Sequence, residues 1–133
     1  MTDAGPRDSS TNQDAVTIWH NPRCSKSRGA LALLAERGID PAVVRYLEDA
    51  PDRAALEQVL AQLGTEDPRA IVRTGEKPYT ELGLADADRD TLLDALATHP
   101  ILLERPIVIV GDRAVVGRPP EKVLDLLRAA PER

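Results

Sequence analysis

The stretch "VTIWHNPRCSKSRGALALLAERGIDPAVVRYL" (16–47) decides the fold. It opens with a short β-prone run, 16–20, that ends at an Asn-Pro turn. Leucine and alanine side chains then recur at helical spacing over 25–37, and Gly38 closes the helix. A second β-prone run covers 42–47. The order predicts a β-α-β unit, whose usual right-handed connection makes the two strands parallel.

The rest of the chain adds helices, a hairpin and a closing helix. The predicted ranges are helical segments at 51–64, 67–73, 78–84 and about 88–98, hairpin strands at 106–110 and 113–117, and a helix at 119–130 with Pro early in its first turn. The order β-α-β, helices, β-β-α matches an α/β, thioredoxin-like fold. We expect a small mixed sheet flanked by helices, with an inserted helical subdomain.

Length and composition predict one domain and exclude several classes of function. The 133 residues fit a single domain over 15–130, with the helical insertion at about 50–99, after a polar, disordered tail over 1–14. A net charge of −5 and 2% aromatic residues argue against nucleic-acid binding. No apolar run reaches the roughly 18 residues of a membrane span, and the first residues lack an apolar signal core. We therefore expect a protein of the cytoplasm. The sequence leaves the oligomeric state open, and a monomer is the expectation.

The segment "HNPRCSKSR" (20–28) holds the one cysteine of the chain, Cys24, among several cationic side chains. Because a strand ends near His20 and a helix begins near residue 25, the thiol lies at a helix N-terminus. Free N–H groups and nearby cations there favour the thiolate and an oxyanion alike. Arg28, one helical turn onward, is placed to grip an oxyanion with two hydrogen bonds. The hypothesis is that one loop supplies the nucleophile and the anion clamp.

These residues leave other interpretations open. Cys24 fits a buried, inert cysteine as well, and His20 is either a partner that orients the loop or tunes the thiol, or a strand-end histidine with a satisfied ring. Ser27 stands where a CxxC dithiol has its second cysteine, so any disulfide of Cys24 must join another molecule. Arg28 follows too soon for the Cys-x5-Arg loop of tyrosine phosphatases. One cysteine and two histidines argue against a zinc site, and no bound metal or organic cofactor is expected.

Five motifs together resemble the glutaredoxin-coupled arsenate reductase family. They are "HNPRCSKSR", "YLEDAP", "EKPYTELGL", "HPILLERPIVI" and "GRPPEKVLDLL", and the resemblance runs from about residue 16 to residue 127. The family's His-x3-Cys-x3-Arg pattern is present in full at His20, Cys24 and Arg28. The resemblance implies a thioredoxin-like fold with an inserted helical subdomain.

The same resemblance implies the substrate-binding residues and the reaction. Its motifs place oxyanion-binding arginines at Arg73, Arg105 and Arg118, with a cis proline after Arg105 facing the cysteine. The Cys24 thiolate would attack arsenate, and the arginines would neutralise the charge that develops. An external thiol, glutathione in the family, would reduce the adduct, and a glutaredoxin would resolve the mixed disulfide.

This chain departs from the best-known members just after the cysteine. They carry Gly and Thr where it has Ser25 and Lys26, and the Cys-Ser-Lys-Ser-Arg variant resembles a subgroup often labelled only as related to arsenate reductase. A thiol-redox protein with another substrate and a non-catalytic oxyanion- or adduct-binding protein are therefore alternatives. Another is a regulator of the Spx type, which binds RNA polymerase. Spx-type regulators commonly carry a CxxC switch, which Ser27 removes here.

Overall fold

Four strands form one mixed sheet within residues 15–129, the part of the chain that the computed structural model describes. The strands are β1 (Val16–Trp19), β2 (Ala42–Val44), β3 (Ile107–Val110) and β4 (Arg113–Val116), in the spatial order β2-β1-β3-β4. β1 pairs with β2 in parallel and with β3 antiparallel, and β3 and β4 form the predicted hairpin. The predicted disordered tail, 1–14, lies outside the described residues.

Five α-helices and three short 3-10 helices surround this sheet in the described part of the chain. The α-helices are α1 (Ser25–Glu36), α2 (Arg53–Leu63), α3 (Lys77–Glu81), α4 (Arg89–Thr98) and α5 (Lys122–Ala129), and the 3-10 turns are Pro68–Ile71, Leu84–Asp86 and Pro100–Leu102. Aspartates begin two of the helices: Asp52 accepts from the N–H of Ala55, and Asp88 from that of Thr91. Gly64, with a φ of 85°, ends α2 in the left-handed conformation.

Two predicted boundaries are wrong. The second strand, predicted over 42–47, ends at Val44 because the Arg45 carbonyl accepts from the N–H groups of Glu48 and Asp49 and turns the chain. The closing helix, predicted from residue 119, begins at Lys122. Residues 119–121 form a turn instead, in which the Lys122 N–H bonds to the Pro119 carbonyl.

Alternate side chains of β1 and β3 supply two apolar clusters on opposite faces of the sheet. Ile18 and Val108 face α1 and α5, together with Ala30, Leu34, Val123 and Leu126. Trp19 and Ile107 face the helical segment between β2 and β3, together with Leu56, Leu60, Leu93 and Leu96. Each fully buried side chain of this size stabilises the fold by about 1.5–3 kcal/mol. The shared sheet supports one domain with a helical insertion at about 50–99, and those boundaries stay a prediction.

The helices of the described residues were compared with the length and hydropathy that a membrane span requires. Within 15–129, every helix is too short or too polar to cross a bilayer.

Candidate active site

The sheet register brings three loops to the end of the sheet where Cys24 lies. Trp19 pairs with Ile107, so the chain after β1 and the chain before β3 emerge side by side. Ile107 also pairs with Val116, and the N–H of Gly117 bonds to the Pro106 carbonyl at 2.8 Å. A Cβ at Gly117 would lie 3.1 Å from Pro106 Cγ, so a glycine suits this close approach. The residues after Trp19, before Ile107 and after Val116 therefore share one edge.

Arg73 reaches the same edge through a second set of backbone bonds. Val72 and Leu103 form an isolated antiparallel bridge. The Arg73 N–H bonds to the Leu102 carbonyl at 2.7 Å, and the Glu104 N–H bonds to the Ile71 carbonyl at 2.8 Å. This pairing ties the loop before α3 to the segment that leads into β3.

Cys24 is the N-cap residue of α1, and its environment favours the thiolate. Its side chain is half-buried, and burial by itself raises the pKa of the thiol. That effect is outweighed by the nearby Ser27 N–H, the Arg105 guanidinium and the Lys26 N–H, so the pKa of Cys24 is lowered. Arg118 Nη1 lies 3.9 Å from Cys24 Sγ. The predicted helix N-terminus and a guanidinium thus converge on the sulfur.

Arg105 is a buried cation with unused donors. Its side chain is 13% exposed, and its Nε and Nη1 have no hydrogen-bond partner among the described residues. Glu76 Oε2 lies 3.9 Å from Nη1, which is an ion pair but not a hydrogen bond. Arg118 Nη1 donates to the Arg105 carbonyl at 3.1 Å. An unmet buried N–H costs about 1–3 kcal/mol, and an oxyanion at the sulfur would provide the missing acceptor.

His20 contacts Ser27, which lies in the first turn of α1 next to the loop that carries Cys24. His20 Nδ1 lies 2.7 Å from Ser27 Oγ, which also accepts from the N–H of Asn21 at 3.0 Å, and all three residues are buried. Burial, then the charges of Arg45 and Arg28, lower the pKa of His20 and favour the neutral ring. An unprotonated Nδ1 of the neutral ring is able to accept a hydrogen bond from the Ser27 hydroxyl. These contacts satisfy Nδ1 and connect His20 to the loop that carries Cys24, and a role of His20 in orienting that loop or tuning the thiol stays a prediction.

Arg28 has a different partner from the one predicted. Its side chain is exposed, and Nη1 donates to the Pro22 carbonyl at 2.9 Å, closing the loop that carries Cys24. Arg28 as a direct oxyanion ligand stays a prediction.

The sequence analysis missed Tyr46. Tyr46 is fully buried, and its hydroxyl has no partner at hydrogen-bonding geometry in the described structure. Burial raises the pKa of Tyr46, the charge of Arg105 opposes that effect, and the charge of Cys24 adds to it, so the hydroxyl lies near the thiol site. The residue lies in the quoted "YLEDAP" motif, but nothing in the motif indicates that the ring turns toward Cys24.

Two acidic residues, Glu76 and Glu104, were also missed. Glu76 Oε2 accepts from Arg73 Nε at 3.2 Å, and Glu104 Oε1 lies 3.7 Å from Arg73 Nη1 and 3.8 Å from Arg118 Nε. Their positions three residues after Arg73 and just before Arg105 were the available signal. No three metal-ligating side chains cluster within residues 15–129.

A thiol of lowered pKa at a helix start, beside the guanidinium groups of Arg105 and Arg118, has the composition expected of a site where a thiolate reacts with an oxyanion. The sequence of residues 19–126 matches the ArsC family. The chain belongs to that family.

Named relatives agree with this assignment. The chain is 50% identical to an arsenate reductase of Neisseria meningitidis serogroup A over 110 residues, which is 81% of this chain and 94% of the relative. Two solved structures are also similar, and they confirm the predicted thioredoxin-like fold. An arsenate reductase from Vibrio cholerae has a TM-score of 0.82 at 48% identity, covering 86% of this chain and 98% of the other. A putative arsenate reductase from Yersinia pestis has a TM-score of 0.80 at 52% identity, with coverage of 83% and 98%.

Proposed function

We propose that this protein is an arsenate reductase whose nucleophile is Cys24. One observation carries the proposal: Cys24 Sγ lies 3.9 Å from Arg118 Nη1 at the start of α1, beside the incompletely bonded guanidinium of Arg105. A thiolate and unsatisfied cations at one point suit attack on an oxyanion. The relatives that are named arsenate reductases supply the choice of arsenate.

The first step joins sulfur to arsenic. The Cys24 thiolate attacks arsenic, an S–As bond forms, and one arsenate oxygen leaves as water after protonation. Arg73, Arg105 and Arg118 bind the remaining oxygens and neutralise the negative charge. The ordered hydrogen bonds around His20 and Ser27 hold the loop so that the sulfur keeps its position.

The second step transfers two electrons to arsenic. An external thiol attacks the Cys24 sulfur, the S–As bonding pair passes to arsenic, and arsenate becomes arsenite while a mixed disulfide forms. A second thiol then attacks that disulfide and releases Cys24. Two thiols are thus oxidised to one disulfide. Because the chain has a single cysteine, both thiols come from other molecules, and we propose glutathione with glutaredoxin.

Arg28 has a supporting role in this proposal. Its bond to the Pro22 carbonyl fixes the turn between β1 and Cys24, which keeps the sulfur over the helix N-terminus. The enzyme is proposed in preference to a polymerase-binding regulator because the named relatives above are arsenate reductases. The monomeric state and the cytoplasmic location stay predictions.

The test is arsenate-dependent turnover by the purified full chain, with arsenite measured directly. One arm supplies glutathione, glutaredoxin, glutathione reductase and NADPH, and the other supplies thioredoxin, thioredoxin reductase and NADPH. We expect arsenite and NADPH oxidation in the first arm. Arsenite formed only in the second arm would replace the proposed reductant and keep the reaction. No arsenite in either arm, from protein that is folded and retains a reactive thiol, would overturn the proposed function.

A further inference from the structure

The arginines of the site are bridged by two carboxylates of the same chain. Their ion pairs form an unbroken series of alternating charge, here named the arginine–glutamate network: Arg118, Glu104, Arg73, Glu76 and Arg105. The successive N···O distances are 3.8, 3.7, 3.2 and 3.9 Å. An incoming oxyanion would therefore meet guanidinium groups that already have counter-ions.

Three of these four contacts are too long to be hydrogen bonds. A charge-assisted N–H···O bond measures about 2.7–2.9 Å, and only the Arg73–Glu76 pair, at 3.2 Å, meets hydrogen-bond geometry here. Glu104 Oε1 is buried and has no hydrogen bond, although two guanidinium groups flank it. Nε and Nη1 of Arg105 are in the same condition. The carboxylates thus offset the charge of the arginines and leave donors unused.

The charge balance of the network limits its attraction for anions. Three guanidinium groups and two carboxylates carry a net charge of +1, and a thiolate at Cys24 would bring the sum to zero. The side chains of the network are 13–33% exposed, so their charges are only partly screened by solvent.

We propose that Glu76 and Glu104 are internal counter-ions that weaken the binding of tetrahedral oxyanions and so set the affinity of the site for them. This inference rests on the proposed oxyanion site. An entering anion exchanges places with a carboxylate on the guanidinium groups, and the exchange lowers ground-state affinity for arsenate and phosphate alike. Since only arsenate goes on to be reduced at the sulfur, weak ground-state binding limits occupation of the site by phosphate without removing the chemical step.

The carboxylates must be removed without changing side-chain shape. Glu104→Gln and Glu76→Gln do so, and Glu57→Gln is the matched control. Glu57 is also paired with two arginines, at 3.2 Å from Arg53 and 3.8 Å from Arg89, but it lies in the pairs that join α2 and α4. If the carboxylates only hold the arginines in place, the glutamine substitutions should weaken anion binding. If they act as counter-ions, the same substitutions should strengthen it.

Binding is read from inorganic phosphate, by calorimetry and by protection of Cys24 from iodoacetamide. Glu104→Gln is expected to tighten the phosphate Kd by about tenfold, as expected for loss of a partly screened charge beside an anion. Glu76→Gln should tighten it as well, and Glu57→Gln should leave it unchanged. In turnover assays, the arsenate KM and the inhibition constant of phosphate should fall together in the two glutamine variants of the site.

An unchanged or weaker phosphate Kd in both site variants, with thermal unfolding confirming that they are folded, would overturn the inference. If Glu104→Gln does not fold, the phosphate Kd of Glu76→Gln decides in the same way. If neither variant folds, Glu104→Asp and Glu76→Asp are used, because the shorter side chain withdraws the carboxylate from the arginines and should tighten the phosphate Kd. No tightening in these variants overturns the inference. The binding readout separates this inference from the proposed function. Tighter phosphate binding in the variants without arsenate turnover by the wild type would support the counter-ion inference and overturn the proposed reductase activity. Arsenate turnover with unchanged phosphate affinities would support the reductase activity and overturn the counter-ion inference.

Discussion

The ion pairs that join α2 and α4 and the arginine–glutamate network contain the same kinds of side chain. In the first, Arg53 donates to Glu57 and Asp94 at 3.2 Å each and also to Asp90. In the second, Arg105 has one carboxylate at 3.9 Å and two nitrogens without a hydrogen bond among the described residues. The first set of arginine donors is used within the fold, and the second leaves donors available beside a thiolate.

Arg105, the arginine with unused donors, is also the more buried of the two. The Arg53 side chain is 37% exposed, so water can bind its N–H donors, and a donor without a protein partner there would cost little stability. The Arg105 side chain is 13% exposed, where an unused donor is costly. Unused donors in a protected position therefore identify a binding site better than the number of cations does.

The largest effect is expected at the nucleophile. Cys24→Ser should lower arsenate turnover by at least about 10³-fold, because a serine hydroxyl is weakly nucleophilic at neutral pH. Arsenite production measures the loss, and thermal unfolding should show that the fold is retained. Turnover within tenfold of wild type would show that the thiol is not the nucleophile. The arginine–glutamate network would then have no catalytic thiol beside it to distinguish it from the ion pairs between α2 and α4.

The next effect is expected at Arg105. Arg105→Gln should lower kcat/KM by about 10²–10³-fold, the size typical of losing one donor to a developing oxyanion. It should also raise the pKa of Cys24, since Arg105 helps to lower it. The thiolate is the reactive form, so alkylation by iodoacetamide slows as the pH falls through the pKa, and the variant's profile should move to higher pH. An unmoved profile with unaltered kcat/KM would contradict the role of Arg105.

A smaller effect is expected at the hydrogen bonds beneath the thiol loop. Ser27→Ala leaves His20 Nδ1 and the Asn21 N–H without their shared partner and should reduce the free energy of unfolding by about 1–3 kcal/mol. Urea denaturation measures the change. The exposed Ser25→Ala is the control and should alter stability by less than about 0.5 kcal/mol. Equal effects in the two variants would mean that the buried hydrogen bonds contribute little.

The smallest effect is expected in the ion pairs between α2 and α4, outside the site. Arg53→Gln removes the arginine with the most carboxylate partners in the pairs between α2 and α4, yet kcat/KM should stay within about twofold of wild type, because that region is not part of the site. Only a small decrease in thermal midpoint is expected. A loss of activity comparable to that of Arg105→Gln would show that both arginine clusters serve catalysis.

Much of the fold was accessible from local patterns. The β-α-β unit, the helical segments and the hairpin were predicted because strand alternation, helical spacing and turn residues act over a few positions. The boundaries that failed, after Val44 and before Lys122, depend on backbone turns with no strong residue signal. The resemblance supplied Arg73, Arg105 and Arg118 as candidates but not their partners.

The sequence by itself determined the chemistry that is available: one thiol, placed after a strand and at the start of a helix, with a serine where a second thiol would be needed. Only the tertiary structure decided what surrounds that thiol. The pairing of β1 with β3 and of β3 with β4 carries Arg105 and Arg118 to the sulfur, and the bridge at Val72 carries Arg73 beside Glu104. The reason is physical: these neighbours are far apart along the chain and come together only through sheet hydrogen bonds, to which a local pattern is insensitive.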